Sequence, residues 1–472
     1  MAQHLSRRAA MAGAAALLAW PTSLRAEALS LSAHPRPRPL PRPRRLIEAA
    51  RLDAQISYAV LDADTGALLE GRDADRPVAP ASTLKTVTAL YALDRLGAGH
   101  RFVTRVMRDG DRLILAGGGD PLLDTDQLAE LADLLVARGT TAPARFEVWG
   151  GALPRLHEIA PGQAPHLGYN PSVSGMMLNF NRVHLDWRRA DGGYRFDLQA
   201  RARRESPVAY TIRAEAGAGG PVFLWREAGG REIWTANRAH LGASGSRWLP
   251  VRRPELYAGD VFQTLCRARG LVLPSPAIAE SLPPDAQEIA RTQSAPLREI
   301  AQGMMEYSTN LTAEALGLAA SGAGDLAGSA REMQLWAEAQ GMSGMVFADH
   351  SGMSPLSRVT ARAMARVGVA AERETDLRGL MRRISRYDDN AHLLGDDVTI
   401  RAKTGTLNFV SNLAGFADRP GKRGLSFAIY VGDERRRAAT EGQELPAGVA
   451  SWTARARSLH QQLIGVWTAR YG

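Results

Sequence analysis

Apolar and polar positions follow two different periods near the start of the chain. Apolar side chains at residues 56, 58 and 60 share one face, which predicts a β-strand with one buried side. A turn signal at 64–66 follows it and predicts a hairpin. From residue 83 to 96 the apolar positions take a helical period, and Gly97 predicts the end of that helix.

The middle of the chain has a different pattern. Short strand-like runs, among them 183–187 and 222–225, alternate with glycine clusters, which is typical of a β-rich region. Helical periodicity returns from residue 294, a strand is predicted at 398–406, and a last helix at 449–466. The predicted fold class is therefore α/β (α+β), an antiparallel sheet flanked by helices with an inserted β-rich domain.

These patterns divide the chain into five parts. The divisions are a signal peptide at 1–28, a Pro/Arg linker at 29–45, the first part of the α/β domain at 46–145, the β-rich insertion at 146–284 and the second part of the α/β domain at 285–472. A chain of 472 residues with 45% hydrophobic content is long enough for two or more cored domains.

The first residues have the features of a secretory signal. Ser6-Arg7-Arg8 precedes an apolar run at 9–20, and small residues at 24–28 suit cleavage. The run is too short to favour a membrane anchor. We therefore expect an exported protein in the periplasm or on the outer face of the cytoplasmic membrane. The arginine pair leaves the twin-arginine and the general export routes open.

Positive charge is concentrated in the same region. Residues 34–45 carry five arginines and no acidic residue, within a net charge of +9 for the whole chain. A high pI that comes mostly from a tail does not indicate a nucleic-acid-binding domain. The linker is predicted to be extended, either as a plain tether or as a peripheral contact with an anionic membrane or wall surface.

Cysteine and histidine give no sign of a metal or a cofactor. The single cysteine, Cys266, lies in a helix-like apolar run and is predicted to be a buried thiol. The ten histidines show no paired spacing typical of metal ligands. No metal site and no cofactor are predicted.

Lysine usage directs attention to two positions. Of the 58 Lys and Arg residues only three are lysines, Lys85, Lys403 and Lys422. A chain that otherwise uses arginine can keep lysine where a cation must lose its proton. Lys422 lies in a predicted hairpin turn and is interpreted as surface. Lys85 follows Ser82 by three residues, so the two share a helix face as nucleophile and base.

Two further motifs follow in the chain. Ser308-x-Asn310 and Lys403-Thr404-Gly405 each occur once, and the three motifs in this order on their predicted elements are a specific signal. Ser82 needs a neutral base, and burial of Lys85 together with a nearby Lys403 is expected to lower the pKa of Lys85.

The remaining motif residues are assigned to substrate. Ser308 can relay a proton to a leaving amine, and Asn310 offers its amide donor and acceptor to a peptide. Gly405 is expected to leave the strand edge bare for an added substrate strand. Lys403 with the Thr404 and Thr406 hydroxyls can hold a terminal carboxylate. The backbone N–H groups of Ser82 and Thr406 are the predicted oxyanion donors.

With these motifs the chain resembles the class C low-molecular-mass penicillin-binding proteins, the D-alanyl-D-alanine carboxypeptidase/endopeptidase family of type 4. The likeness extends over most of the chain after about Asp53. Besides the three motifs it rests on Pro80-Ala81-Ser82, Gly117-Gly118-Gly119-Asp120-Pro121, Leu178-Asn179-Phe180-Asn181, Ala313-Glu314, Asp349-His350-Ser351-Gly352 and Lys403-Thr404-Gly405-Thr406-Leu407. The long segment between Lys85 and Ser308 also fits this family, although it is slightly short for it.

The resemblance implies a serine-type peptidase that hydrolyses D-Ala-D-Ala termini or D-amino-acid crosslinks of peptidoglycan and binds penicillin covalently at Ser82. Two other readings stay open at this point. An exported β-lactamase shares the motifs but would need a deacylating carboxylate, and the long insertion argues against it. A non-catalytic peptidoglycan-binding protein would not need Ser82, Lys85, Ser308, Asn310 and Lys403 intact.

Overall fold

The structure is a computed structural model that describes residues 40–385 and 397–472. The predicted signal peptide and most of the predicted linker lie outside the described residues. The end of the linker differs from the prediction, because Pro43–Ala50 forms a helix instead of an extended segment. Proline at the first helical position has φ already fixed for a helix, and Leu46 and Ile47 then pack against the core.

The helices and strands are as follows. The helices are α1 Pro43–Ala50, α2 Lys85–Leu96, α3 Thr125–Ala137, α4 Arg238–Leu241, α5 Pro254–Ala268, α6 Leu297–Tyr307, α7 Asn310–Ser321, α8 Leu326–Ala339, α9 Ala361–Thr375, α10 Leu377–Leu380, α11 Glu434–Ala439 and α12 Val449–Arg470. The strands are β1 Gln55–Asp62, β2 Leu68–Arg72, β3 Val103–Asp109, β4 Arg112–Ala116, β5 Arg145–Trp149, β6 Arg182–Ala190, β7 Gly193–Gln199, β8 Ile212–Gly217, β9 Phe223–Ala228, β10 Arg231–Asn237, β11 Ser244–Pro250, β12 Pro276–Ile278, β13 Gln287–Gln293, β14 Arg382–Ile384, β15 Thr399–Leu407, β16 Val410–Asp418 and β17 Leu425–Gly432.

One six-stranded antiparallel sheet joins the two ends of the described chain. Its order is β14-β15-β16-β17-β1-β2, so β1 pairs with β17 across almost the whole sequence. Helices α1 and α12 cover one face of this sheet. Helices α2, α6, α7, α8 and α9 form the core on the other face. The predicted fold class, an antiparallel sheet flanked by helices, is confirmed.

A second sheet belongs to the segment that is inserted in this domain, which is called the excursion. It has five strands in the order β12-β5-β4-β3-β13, and α3 and α5 pack on it. Because β3 and β4 pair with β5, and β13 pairs with β3, the excursion leaves the first sheet near residue 103 and returns near 293. The predicted boundaries at 145 and 284 are therefore too narrow. The predicted boundaries follow a change in amino-acid composition, whereas the boundaries in the structure follow from which strands pair.

Two small sheets account for the β-rich character of the excursion. They have three strands each, in the orders β8-β10-β9 and β11-β6-β7. Both share a core with the five-stranded sheet, in which Trp234 and Phe223 are buried. The loop before β6 leaves this region and reaches the six-stranded sheet domain, where it becomes part of a cleft described below.

Candidate active site

Ser82 lies in a strained turn at the start of α2. Residues Ala81–Leu84 form a 3₁₀ turn that continues into the helix, and Ala81 has a φ of 46°. The carbonyl of Pro80 accepts hydrogen bonds from Asn412 Nδ2 at 3.0 Å and from Thr83 Oγ1 at 2.7 Å. Ser82 makes no capping hydrogen bond to the helix, and its hydroxyl oxygen accepts a hydrogen bond from Lys85 Nζ at 2.9 Å.

Lys85 is fully buried and has three oxygen neighbours. Its Nζ lies 2.9 Å from Ser82 Oγ, 2.8 Å from Asn310 Oδ1 and 2.7 Å from the carbonyl oxygen of Ser351. Elements α2, α7 and the turn at residues 349–352 therefore meet at one amine. The motif spacing predicted the first contact. The carbonyl of Ser351 was missed, because any residue type can present a backbone oxygen.

Burial lowers the pKa of the Lys85 amine to about 7, and the negative charges of Asp349 and Glu314 oppose this fall. The repulsion expected between Lys403 and Lys85 is mutual, because each ammonium group disfavours the charge of the other. Burial first, and then the charge of Lys85, lower the pKa of Lys403 well below its usual value. The two amines therefore both lose affinity for protons, but desolvation is the main cause for each.

The second and third motifs form another contact in the same place. Ser308 follows α6 with a left-handed φ of 59°, which turns the chain sharply into α7. Its hydroxyl oxygen accepts a hydrogen bond from Lys403 Nζ at 2.9 Å, and the same amine donates to the carbonyl of Thr404 at 2.9 Å. The structure thus brings the five predicted residues Ser82, Lys85, Ser308, Asn310 and Lys403 together.

The side chain of Asn310 makes two hydrogen bonds within the protein. Its Oδ1 accepts from Lys85, and its Nδ2 donates to the carbonyl of Tyr169 at 3.0 Å. One lone pair of the amide oxygen and one hydrogen of Nδ2 are therefore used within the protein, and one of each remains. The reason is that α7 places Asn310 next to the buried amine of Lys85, whose hydrogens need acceptors.

The predicted substrate strand lies at an open edge of the sheet. Strand β14 pairs only with residues 400–402 of β15, so in the described ranges residues 403–407 have no strand neighbour on that side. Thr404 and Thr406 are exposed there. Gly405 has a further reason to be glycine, because an added Cβ would lie 2.9 Å from the carbonyl oxygen of Pro80 and 3.2 Å from Ser82 N.

These groups open into one cleft of about 870 Å³. Ser82, Ser308, Asn310, Thr404 and Thr406 line one side of it. The other side is lined by the segment 160–169, the segment 353–358, α11 and the first turns of α12, with charged side chains that include Arg358, Glu434, Arg437, Glu441, Glu444 and Arg457. A peptide has room to lie along the open edge of β15.

The described residues hold no group of three or more His, Cys, Asp or Glu side chains placed to bind a metal ion. Cys266 is buried and free, and burial raises the pKa of its thiol to about 12, so it is an unreactive core residue. No helix in the described ranges is both long and apolar enough to cross a membrane.

Comparison with known families agrees with this site. The model of the D-Ala-D-Ala carboxypeptidase 3 (S13) family matches residues 44–456. The chain belongs to this family, and the resemblance found in the sequence is confirmed. It is a serine peptidase of the class that acts on peptidoglycan.

Individual relatives are more distant. A D-alanyl-D-alanine carboxypeptidase of Actinomadura sp. (strain R39) is 28% identical over 453 residues, which cover 81% of this chain and 79% of the relative. A carboxypeptidase of Mycobacterium tuberculosis is 26% identical over 407 residues, 79% of this chain and 76% of the relative. The crystal structure of penicillin binding protein 4 from Haemophilus influenzae has the same fold, with a TM-score of 0.72, 18% identity, and coverage of 90% of this chain and 100% of that one.

Proposed function

We propose that this chain hydrolyses the D-Ala-D-Ala bond at the end of peptidoglycan stem peptides, and D-amino-acid crosslinks between them, through an acyl-enzyme on Ser82. The observation that carries the proposal is the fully buried Lys85 amine at 2.9 Å from Ser82 Oγ. A serine hydroxyl is a weak nucleophile that needs an adjacent base, and a lysine serves as that base only when it is neutral.

Acylation transfers one proton and exchanges one bond. Ser82 Oγ attacks the carbonyl carbon of the scissile amide while its proton passes to Lys85. The C–N bond then breaks, and the leaving nitrogen takes a proton through the Ser308 hydroxyl, whose oxygen lies 2.9 Å from Lys403 Nζ. Lys85 is neutral again once the amine has left. In the second half water attacks the ester, Lys85 takes the proton from water, and the proton returns to Ser82 Oγ.

The open edge of β15 fits the substrate backbone. A peptide that adds to residues 403–407 as a further strand has its terminal carboxylate near Lys403 and the exposed Thr404 and Thr406 hydroxyls. The backbone N–H groups of Ser82 and Thr406 are the candidate oxyanion donors, because the glycine between strand and nucleophile lets the two backbones come close. When the leaving amine belongs to a second stem peptide, the same steps open a crosslink.

Penicillin offers the most direct test. Its strained amide acylates a serine as a peptide does, but the leaving nitrogen stays attached to the acyl group and hinders the attack of water. We expect the intact protein to gain the mass of one penicillin, and the Ser82→Ala variant to gain none and to release no D-Ala from a pentapeptide stem. Ser458→Ala, the same exchange on the exposed face of α12, is the matched control.

Mass spectrometry of the protein and of the digested peptides gives both readings. An adduct on the Ser82→Ala variant, or D-Ala release by it, would show that another group is the nucleophile. The ratio of D-Ala release to cleavage of crosslinked dimers then measures the balance between carboxypeptidase and endopeptidase action.

The proposed site of action is outside the cytoplasmic membrane, in the periplasm or on the membrane's outer face. It is supported by the Ser6-Arg7-Arg8 motif, the apolar run that follows, and the nature of the substrate. N-terminal sequencing of the native protein should find residues 1–28 removed, and a native start at Met1 in the cytoplasm would refute the proposal. Replacing Arg7-Arg8 by two lysines should block export only on the twin-arginine route.

The arginine-rich segment 34–45 is proposed as a peripheral contact with an anionic surface. Binding of the mature protein to anionic vesicles should weaken as salt is raised, and neutral vesicles should bind none.

A further inference from the structure

The turn at residues 349–352 supplies one of the partners that orient Lys85. A neutral amine has two hydrogens and one lone pair. Asn310 Oδ1 at 2.8 Å and the Ser351 carbonyl at 2.7 Å are pure acceptors, so they take both hydrogens. The lone pair then faces Ser82 Oγ, the remaining neighbour at 2.9 Å. The direction of the base therefore depends on where the Ser351 carbonyl lies.

Glu314 holds this turn by its backbone. It lies four residues after Asn310 on α7, so both side chains come from one face of that helix. Its Oε1 accepts the N–H of Ser351 at 2.9 Å, and its Oε2 accepts the N–H of His350 at 3.1 Å. Glu314 is fully buried. Both of its carboxylate oxygens bind the turn at residues 349–352, whose Ser351 carbonyl accepts from Lys85.

The turn is also packed tightly between α2 and α7. Thr88 Oγ1 donates to the carbonyl of His350 at 2.7 Å. A Cβ on Gly352 would lie 1.9 Å from the carbonyl oxygen of Ala81, and a Cβ on Gly317 would lie 2.1 Å from His350 Cγ. Such close contacts leave no room for the turn to shift without moving the segment before Ser82.

The charge of Glu314 faces Lys85 and Asp349. Burial raises the pKa of the Glu314 carboxyl and Asp349 adds to the rise, whereas hydrogen bonds from Ser351 and from the His350 N–H, and then the charge of Lys85, oppose it. Burial lowers the pKa of His350 to about 3, so its ring is neutral and adds no charge to the turn. An ionised Glu314 in turn favours the protonated form of Lys85.

We propose that Glu314 is a positioning residue for acyl transfer. Its two carboxylate oxygens fix the Ser351 carbonyl, and this carbonyl aims the Lys85 lone pair at Ser82. The inference rests on the proposed function, since it concerns how that reaction's base is oriented. Glu314 itself does not touch the substrate, because it lies beneath Asn310 and the turn.

The test is Glu314→Gln, measured as the rate of penicillin acylation between pH 5 and 9. One oxygen of the amide can still accept an N–H, but its NH₂ group faces the other N–H and repels it. We expect the plateau rate to fall about 10²-fold, the scale of a small misplacement of a reacting group. Loss of a negative charge near Lys85 favours the neutral amine. The acid limb, which is the part of the pH–rate profile where the rate rises with pH, should therefore also move to lower pH. A loss of stability alone would lower the Tm and leave that limb in place.

Ser329→Ala is the matched control. It removes the 2.7 Å contact with His350 Nε2 but leaves the backbone of the turn bound to Glu314. We expect a lower Tm with the acid limb in place and a rate within about threefold of wild type. A Glu314→Gln variant with the wild-type rate, or with a reduced rate and an unmoved limb, would overturn the inference.

A second variant decides the case in which Glu314→Gln does not fold. Glu314→Asp keeps the charge on a shorter side chain, so a reduced plateau with an unmoved limb supports the inference and a wild-type plateau overturns it. Absence of a Ser82 adduct in the wild type would overturn the proposed function and this inference with it. A normal wild-type adduct with unchanged Glu314→Gln kinetics would overturn the inference alone.

Discussion

At the scale of single residues, burial does most to make Lys85 suitable as a base. Its side chain has no exposed surface, and desolvation disfavours the ammonium form. Negative charge on Asp349 and Glu314 opposes this effect, which keeps the pKa of the amine at about 7 instead of lower. A base with a pKa near the working pH combines a large neutral fraction with adequate basicity.

Lys85→Arg should abolish acylation nearly as fully as Ser82→Ala. Arginine keeps the positive charge, but its guanidinium, with a pKa above about 12, cannot be a neutral base. General-base assistance is worth roughly 10²–10⁴-fold. Lys422→Arg, the same exchange in the exposed turn after β16, should leave the rate unchanged. If Lys85→Arg keeps more than about a tenth of the wild-type kcat/KM, a loss below ~1.4 kcal/mol, Lys85 is not the base.

The acylation rate of the wild type should rise with pH through about 7. Lys85 must be neutral, so each pH unit below its pKa should lower the rate about tenfold, and the rate should level off above it. Burial lowers the pKa values of His350 and His166, so these neighbours titrate on the acid side of that limb. Stopped-flow acylation from pH 5 to 9 measures the profile, and a limb near pH 10 would show an amine of ordinary pKa.

Residue types and spacing in the sequence predict the side chains that the structure brings together at the cleft, but they do not predict the backbone groups that hold them. Ser82, Lys85 and Lys403 stand out because hydroxyl and amine side chains carry recognisable chemistry. The Ser351 and Tyr169 carbonyls, which hold Lys85 and Asn310, belong to groups that every residue has. Glu314 was seen as part of a motif, but its role depends on which backbone N–H groups it meets.

At the scale of elements, the site depends on how closely β15 approaches the turn before α2. Asn412 on β16 donates to the carbonyls of Ala79 and Pro80, which fixes that turn against the sheet. Gly405 lies directly opposite, with space for a hydrogen but not for a methyl group. The strand therefore comes close to Ser82 N–H at Gly405, and this approach is sensitive to any added atom on Gly405.

Gly405→Ala should slow acylation about 10²-fold, the scale of losing an oxyanion donor or of a small misplacement. The new Cβ would lie 2.9 Å from the Pro80 carbonyl oxygen and 3.2 Å from Ser82 N, so strand and turn must separate. Gly303→Ala in α6 is the control, because its Cβ meets nothing within 4 Å and should stabilise the helix by about 1 kcal/mol. A Gly405→Ala rate near wild type would mean that the two N–H groups are not the oxyanion donors.

Elements with strong periodicity were predicted well, and short or special ones were not. The hairpin of β1 and β2 and the last helix α12 lie where the pattern predicts them. Strand β12 is only three residues long, Pro276–Ile278, and it pairs with β5. Helix α6 begins at Leu297 instead of residue 294, and the hydroxyl of Ser294 accepts the N–H of Phe102, a tertiary contact that local pattern does not contain.

At the scale of the whole molecule, the excursion between β3 and β13 helps to build the cleft. Its segment 160–169 lines the cleft, and the Tyr169 carbonyl accepts from Asn310. Glu444, in the loop between α11 and α12, accepts from Arg247 on β11 at 2.6 Å and contacts His166 at 3.3 Å. The side of the cleft opposite Ser82, called the far wall, is thus held by contacts between the excursion and the loop after α11. Domain boundaries predicted from composition could not reveal these contacts.

The last prediction concerns this connection. Arg247→Ala should raise KM for crosslinked peptide dimers about two- to fivefold, the worth of one partly exposed ion pair, because a large substrate needs the wall that Glu444 holds. Penicillin, which needs only the groups around Ser82, should acylate at the wild-type rate. Arg226→Ala is the control, since its partner Glu215 lies within a small sheet away from the cleft. Steady-state kinetics with both substrates decides it: an equal loss for dimers and penicillin would place the effect in the fold as a whole, and no loss for either would mean that the ion pair does not hold the wall.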